Sequence, residues 1–336
     1  METLININKA ILHILDFNSN LTVFSEQELE LGSSGVFDFL MKHLEKSYED
    51  PGLKQGSFSD VSRLQPQLAA YAAGELGFVE FSGQIAGTMY EAIARSDNQV
   101  SADVLICDIT ANGERVLAIL KCNNRIGYTH QVAQEGTGIR NQIINHYAIL
   151  PNPSQKLDEY AFVGMDSQEI RFVDKKCSID GQEVYVLPEL VLECSSRISQ
   201  KDTIKKVTAI TRKVAEEHGE NSGIAVSRAK TFIIENTEVS DYLDPVELGK
   251  EVFAASPLMQ QEYQQQVDQA GIAGAVKIDR NLAVRTGKTH KIKTDTGIEI
   301  SIPVDYFQNK DYVEFINNPD GTLSIELKNI GKLLSK

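Results

Sequence analysis

Two short basic segments in the last third of the chain carry the residues best suited to bind a charged ligand. Residues 201–213 contain five Lys or Arg and one Asp, and residues 275–295 contain six Lys or Arg and two Asp, so each segment has a net charge of +4. The whole chain has a net charge of −14, and residues 235–270 contribute −7 of it. A local concentration of positive charge allows an acidic, soluble protein to contact a polyanion. The alternative is that both runs are solvated surface without a ligand.

Seven cations of these segments are the candidate nucleic-acid-binding residues, and their pattern favours contact with phosphates. Lys291 and Lys293 lie two apart in a predicted strand and therefore share a face, while Lys288 lies in the loop before it. No aromatic residues are interleaved for base stacking, and no arginine lies in a recognisable base-reading helix. We therefore expect modest, salt-sensitive, non-specific binding to the DNA backbone. The full set is Arg280, Arg285, Lys288, Lys291 and Lys293, assisted by Lys205 and Arg212.

The sequence contains no strong catalytic signature. It has no P-loop, no G-x-S-x-G, no H-E-x-x-H and no dinucleotide-binding fingerprint. We interpret Gly136-Thr137-Gly138 as a plain glycine turn, because no Lys-Ser/Thr pair follows it. The six histidines are scattered without a metal-ligand pattern, so no metal and no cofactor are expected. The protein is predicted not to be an enzyme.

Length and composition indicate a globular protein of two domains. The chain has 336 residues, of which 42% are hydrophobic and 24% charged. Its four cysteines form no C-x-x-C pair and are predicted to be buried thiols in a reducing cytoplasm. The N-terminal sequence shows no secretory signal, and no apolar run approaches the roughly 20 residues of a membrane helix. We therefore expect a cytoplasmic protein.

Hydrophobic patterns predict an α+β fold with a mainly antiparallel sheet and flanking helices in the N-terminal part. The clearest element is the hairpin 103–122, whose long apolar arms are joined by Asn112-Gly113. Pairing around this turn places Cys107 opposite Ala118. The other predicted elements are a hairpin over 4–24, helices over 36–48, 57–73 and 75–95, and strands over 159–163, 169–173 and 183–187.

The C-terminal part is predicted to contain helices from 201 to 270 followed by two hairpins. Apolar residues of 201–218 recur at helical spacing, so this helix buries one face and presents a basic one. Asp244-Pro245 and Ser256-Pro257 each begin a further helix, and both of these helices are acidic.

Two predicted hairpins close the chain, over residues 290–304 and 311–327. Gly297 lies at the first turn and Pro319-Asp320-Gly321 at the second. We place the domain boundary near 195–200, where strands give way to the basic helix. The expected division is an α+β domain over 1–197 and a helical segment plus C-terminal β-hairpins over 198–336.

The order of segments resembles the bacterial 37-kDa nucleoid-associated protein family (NdpA family). The similar stretches are the opening ININKAILHILD, the hairpin DVLICDITANGERVLAILKCNN and the ending ISIPVDYFQNKDYVEFINNPDGTLSIELKNI, and the calculated mass is 37.2 kDa. The resemblance implies nucleoid association and DNA binding in the cytoplasm. It implies no catalytic residues. The ending fits at mainly structural positions, namely Ile300, Ile302, Asp305, Phe315, Pro319, Asp320, Leu323 and Ile325.

Three functional hypotheses remain. The first is a non-catalytic, nucleoid-associated protein that contacts the DNA backbone through the basic residues of its C-terminal half. The second is a protein-interaction adaptor whose acidic segment 235–270 binds a basic partner, so that nucleoid association is indirect. The third is an unrecognised enzyme with a pocket in the N-terminal domain.

A homodimer is also predicted, because it presents two basic patches together. Once one patch has bound DNA, the effective concentration of the other patch near the same DNA is high. The glutamine-rich segment 257–270 is a candidate contributor to the contact between subunits. The alternative is that this segment is an ordinary solvated helix.

Overall fold

The computed structural model describes residues 3–135, 138–272, 274–307, 309–319 and 322–332. The chain forms two units, an N-terminal unit over Met1–Arg197 and a C-terminal unit over Ile198–Lys336. Helices and antiparallel strands are combined in both units, so the predicted α+β class is confirmed. No helix of the described residues is long and apolar enough to span a bilayer.

The N-terminal unit is built on a seven-stranded antiparallel sheet in the order β2-β1-β4-β5-β8-β9-β3. A π-helical turn at Val186–Val191 ends the strand-rich part of the unit. In chain order the elements are β1 (Ile5–Asp16), β2 (Leu21–Val23), α1 (Ser34–Tyr48), β3 (Lys54–Gly56), α2 (Leu64–Ala72), α3 (Phe78–Ala94), β4 (Ala102–Ala111), β5 (Glu114–Asn123), β6 (Arg125–Glu135), β7 (Gly138–Ile149), β8 (Glu159–Gly164), β9 (Ile170–Val173), β10 (Lys176–Ile179) and β11 (Gln182–Tyr185).

The predicted hairpin over 103–122 is present as β4–β5 and lies at the centre of this sheet. Asn112 and Gly113 have φ angles of 52° and 87°, the left-handed pair that a two-residue turn requires. Cys107 pairs with Ala118, which confirms the predicted register. Helices α2 and α3 cover one face of the hairpin, and α1 covers the other, so both arms are buried on both faces.

A second hairpin, β6–β7, follows directly and forms a separate two-stranded sheet. The sequence pattern predicts no strands here and only the glycine turn, of which Gly136 and Thr137 lie outside the described residues. Most residues of both strands are exposed. The pairing is regular from Gly127 to Glu135, with a bulge between Arg125 and Gly127.

The C-terminal unit surrounds its own core with helices and ends in two hairpins. The helices contribute buried residues such as Val207, Ile233 and Tyr263. The hairpin residues Ile302 and Val313 and the intervening Phe307 form a small cluster against which Ile224 packs. In chain order the elements are α4 (Gln200–Glu217), α5 (Ser222–Val239), β12 (Tyr242–Leu243), α6 (Pro245–Val252), α7 (Pro257–Gln269), β13 (Val276–Lys277), α8 (Arg280–Gly287), β14 (Thr289–Lys293), β15 (Glu299–Pro303), α9 (Val304–Phe307), β16 (Val313–Asn317) and β17 (Leu323–Leu327).

Besides the missed β6–β7 hairpin, the local predictions differ from the structure where tertiary contacts decide the backbone. The helix predicted over 57–73 begins only at Leu64, because residues 57–59 instead form backbone hydrogen bonds with residues 193–195. Just before them, residues 54–56 add an edge strand to β9. Residues 280–287 form the helix α8, where no helix was predicted. The turn of the last hairpin falls partly on Asp320 and Gly321, which lie outside the described residues.

Candidate nucleic-acid interface

Helix α4 presents the first basic segment on its outer face. Ser199 caps the helix by accepting a hydrogen bond from the Asp202 backbone N–H at 3.1 Å. Apolar residues including Val207 and Val214 are buried on the inner face. Lys205 and Arg212 are exposed, and their spacing of seven residues places them on the same side of the helix, roughly 10 Å apart along its axis.

The second basic segment runs along α8 and β14. Asp279 caps α8 through the backbone N–H of Leu282 at 3.0 Å, which starts a helix that buries Leu282 and Ala283. Arg280 and Arg285 are exposed on this helix. Lys288 is the C-cap residue of α8 rather than part of a loop, which corrects its predicted position.

Strand β14 carries the last two candidate cations. Lys291 pairs with Ser301 and Lys293 pairs with Glu299 across the β14–β15 hairpin. Both lysines are exposed. The predicted hairpin and the spacing of these two lysines on one strand are therefore present, with Gly297 at the turn in the left-handed region, at a φ of 90°.

Lys230 on α5 joins the two basic segments, and the sequence analysis did not include it. Its Nζ donates to the carbonyl oxygen of Thr289 at 3.0 Å, at the start of β14. Burial lowers the pKa of Lys230, and the positive charge of Arg212 lowers it further. Arg212, Lys230 and the Thr289 backbone therefore form one neighbourhood, which we call the basic junction. A lone lysine on a helix gives no local charge signal, so only the fold identifies it.

A glycine permits this arrangement. At Gly287, the last residue of α8, an added Cβ would lie 2.7 Å from Cδ1 of Ile234 on α5. The absence of a side chain lets the end of α8 approach α5 closely. As a result, Thr289, which follows Lys288, lies within hydrogen-bond distance of Lys230.

The seven predicted cations differ in whether an acid neutralises them. Arg280 pairs with Glu238 at 3.0 Å, and Lys293 pairs with Glu299 at 3.3 Å. The other five have no carboxylate within ion-pair distance among the described residues, and they are Lys205, Arg212, Arg285, Lys288 and Lys291. An unpaired cation can bind a phosphate without giving up an existing partner.

The two units also differ in overall charge. The N-terminal unit contains 15 Lys or Arg and 27 Asp or Glu, a net charge of −12. The C-terminal unit contains 18 and 20, a net charge of −2. A polyanion is therefore repelled much less by the C-terminal unit, which also carries all seven candidate cations.

The acidic segment 235–270 is largely committed to the fold of the C-terminal unit. Helix α7 buries Met259, Tyr263 and Val267 in the core. The carboxylate of Glu262 accepts from His218 at 2.7 Å, and this hydrogen bond lowers the pKa of Glu262. Segment 257–270 is thus one packed face of the core and not only a solvated helix.

A cavity of about 330 Å³ lies in the N-terminal unit. Its lining includes Lys121, whose Nζ donates to both carboxylate oxygens of Glu159 at 2.8 and 2.7 Å. Cys177 also lines it, and burial together with the charge of Asp174 raises the pKa of this thiol. Lys121 is thus paired with a carboxylate, and the raised pKa of Cys177 disfavours its reactive thiolate form.

One comparison with known proteins identifies a family. The model of the family described as NA37, nucleoid-associated protein YejK, matches residues 11–334. The match spans both units. No curated protein matches the chain.

Proposed function

The chain belongs to the NA37 family of nucleoid-associated proteins, the bacterial 37-kDa family that its segments resemble, and we propose that it binds DNA directly through the phosphate backbone. The contact surface we propose is the exposed basic surface of the C-terminal unit. Family membership supports nucleoid association, and the unpaired cations support direct phosphate contact. On this proposal the protein acts at the nucleoid in the cytoplasm and does so without catalysis.

The basic junction is the observation that carries the proposal. Arg212 and Lys230 lie close enough for the charge of one to lower the pKa of the other. An anion bound beside two neighbouring cations stabilises both of them. A DNA phosphate supplies that charge, and Lys288 and Lys291 extend the surface on either side of Thr289.

The same surface supports binding without sequence preference. The cations lie on the outer face of α4, along a short helix and on a two-stranded sheet, an arrangement that contacts phosphates rather than base edges. Affinity is expected to be modest because the rest of the chain repels DNA. It is expected to fall steeply with salt, with the logarithm of the binding constant changing by about 0.9 per phosphate contact for each tenfold change in salt.

The test compares two triple variants in fluorescence-anisotropy titrations with a labelled 30-base-pair duplex at several salt concentrations. The first is Arg212→Gln, Lys288→Gln and Lys291→Gln. The matched control is Arg63→Gln, Arg95→Gln and Lys175→Gln, three exposed cations of the N-terminal unit that are each paired with a carboxylate. Both variants lose three positive charges, so their net charges are identical.

We expect the first variant to bind about 100-fold more weakly near 0.1 M salt and to lose about three units of salt slope, while the control stays close to the parent. Equal loss in both variants would show that net charge, not this surface, governs binding. If the parent itself does not bind DNA in purified form, direct contact is wrong and the adaptor hypothesis gains support.

A further inference from the structure

The β6–β7 hairpin presents large apolar side chains that the N-terminal unit leaves uncovered. Tyr128 and Val132 on β6 are 73% and 61% exposed. Ile139 and Ile143 on β7 are 76% and 80% exposed. DNA binding by the C-terminal unit gives no reason for such a surface, so it requires a separate account.

The strand register places these side chains on one face. Side chains alternate between the two faces along a strand, and directly paired residues share a face. His130 pairs with Ile143 and Gln134 pairs with Ile139, so the even-numbered residues of β6 share a face with these two isoleucines. The exposed apolar side chains of this face are Ile126, Tyr128, Val132, Ile139 and Ile143, and His130, Gln134, Asn141 and Asn145 lie between them. We call this the apolar face.

The opposite face is polar. Gln131 pairs with Gln142, and the Gln142 amide donates to the Gln131 side-chain oxygen at 3.1 Å. Thr129 and Arg140 lie on this same face and pair with Ile144 and Ala133. The hairpin is amphipathic in the sense that the five large, strongly exposed apolar side chains named above all lie on the other face.

An amphipathic hairpin of this length needs a surface to cover its apolar face. An isolated two-stranded hairpin is marginally stable in water, and β6–β7 lies outside the seven-stranded sheet. We propose that this face is a self-association surface, at which two copies of the chain pack their β6–β7 hairpins against each other around a two-fold axis. Each copy then buries the same residues on its partner.

Area and charge favour a second copy over other occupants. The five side chains expose on the order of 700 Å² per copy, close to the roughly 800 Å² per partner of a standard protein interface. Residues 125–149 contain two Arg and one Glu, a charge of +1 in a unit of −12. Two copies therefore meet at a nearly neutral segment. The segment is too poor in cations to be a DNA-binding arm.

The test is sedimentation equilibrium in the absence of DNA, which keeps it independent of the proposed function. We expect the parent to have twice the mass of its 37.2-kDa chain at micromolar concentration. The double variant Tyr128→Lys and Ile143→Lys should be monomeric. The matched control is Leu4→Lys and Val61→Lys, at positions 79% and 80% exposed elsewhere in the same unit, which should remain dimeric.

A monomeric parent at tens of micromolar, or a hairpin variant that stays dimeric, would overturn the proposal. Loss of DNA affinity by the hairpin variant without a change in mass would instead make the hairpin a nucleic-acid arm, and the proposal would be wrong. Far-UV circular dichroism checks folding. If the lysine variant unfolds, the variant Tyr128→Thr with Ile143→Thr replaces it, because threonine favours strands. Its mass in sedimentation equilibrium, monomeric or dimeric, then supports or overturns the proposal.

Discussion

Two consecutive hairpins, β4–β5 and β6–β7, are similar in length but differ in residue pattern and in burial. The arms of β4–β5 are nearly continuous apolar runs, and helices cover both faces. The strands of β6–β7 mix apolar and polar residues, and most are exposed. Continuous apolar strands find partners for both faces inside the chain, whereas a strand with polar residues on one face needs only one covered face, and the partner for that face can lie outside the chain.

The same contrast holds for charged groups. Lys121 on β5 is buried and fully paired with Glu159. Arg212 and Lys291 in the C-terminal unit are exposed and have no carboxylate partner among the described residues. Lys121, which has a carboxylate partner within the chain, contributes to the fold. For the cations without such a partner we propose DNA phosphates as partners.

The buried ion pair gives the largest expected effect. Lys121→Met leaves the Glu159 carboxylate buried without its partner, which should lower the free energy of unfolding by about 3–5 kcal/mol. Chemical denaturation measures this. The double variant Lys121→Met and Glu159→Leu should recover most of the loss, because no unpaired charge remains. A double variant as unstable as the single one would show that packing, not the unpaired charge, sets the cost.

Matched isoleucines test the comparison of the hairpins directly. Ile119→Ala on β5 removes a fully buried side chain and should cost about 2–5 kcal/mol. Ile143→Ala on β7 removes an exposed one and should change monomer stability by less than about 0.5 kcal/mol. Denaturation of both variants at a concentration where the chain is monomeric makes the measurement. Equal costs would contradict the assignment of one buried and one exposed hairpin.

The remaining prediction is a pH dependence and concerns His13 on β1, the strand next to β4. Its Nδ1 accepts from the Ser25 backbone N–H and its Nε2 lies 3.1 Å from Ser82 Oγ, and burial lowers its pKa to about 4. Between about pH 6.5 and 4 the unfolded chain binds this proton and the folded chain does not. His13 should therefore cost stability as the pH falls through this window, by about 1.4 kcal/mol per pH unit.

The comparison with His13→Asn isolates that contribution, because asparagine does not titrate. The stability of the parent relative to the variant should fall as the pH drops from about 6.5 to about 4. Unfolding curves at half-unit pH steps provide the readout. A difference that stays constant over this range would show that His13 titrates alike in the folded and unfolded chains.

Local signals in the sequence predict the elements whose cause is local. The Asn-Gly turn fixes the register of β4–β5, and Asp244-Pro245 and Ser256-Pro257 do begin α6 and α7. The elements that were missed depend on distant partners. Strand β3 exists because β9 pairs with it, and α8 is held against α5 by close packing at Gly287.

The candidate DNA-binding surface also has a part that the sequence predicts and a part that depends on distant partners. Charge counting found the two basic segments, because clustered cations are visible in the sequence alone. It could not find Lys230, which joins them only after α5 packs beside β14. Nor could it separate Arg280 and Lys293 from the other cations, since Glu238 and Glu299 become their partners through folding.

Lysine footprinting tests the proposed DNA contact most directly. The protein is acetylated with and without a saturating 30-base-pair duplex at low salt, and the modification of each lysine is measured by mass spectrometry. We predict that DNA protects Lys205, Lys288 and Lys291, while the exposed Lys175 and Lys250 react equally in both states. Protection of Lys175 or Lys250 with unchanged reactivity at Lys288 and Lys291 would contradict it.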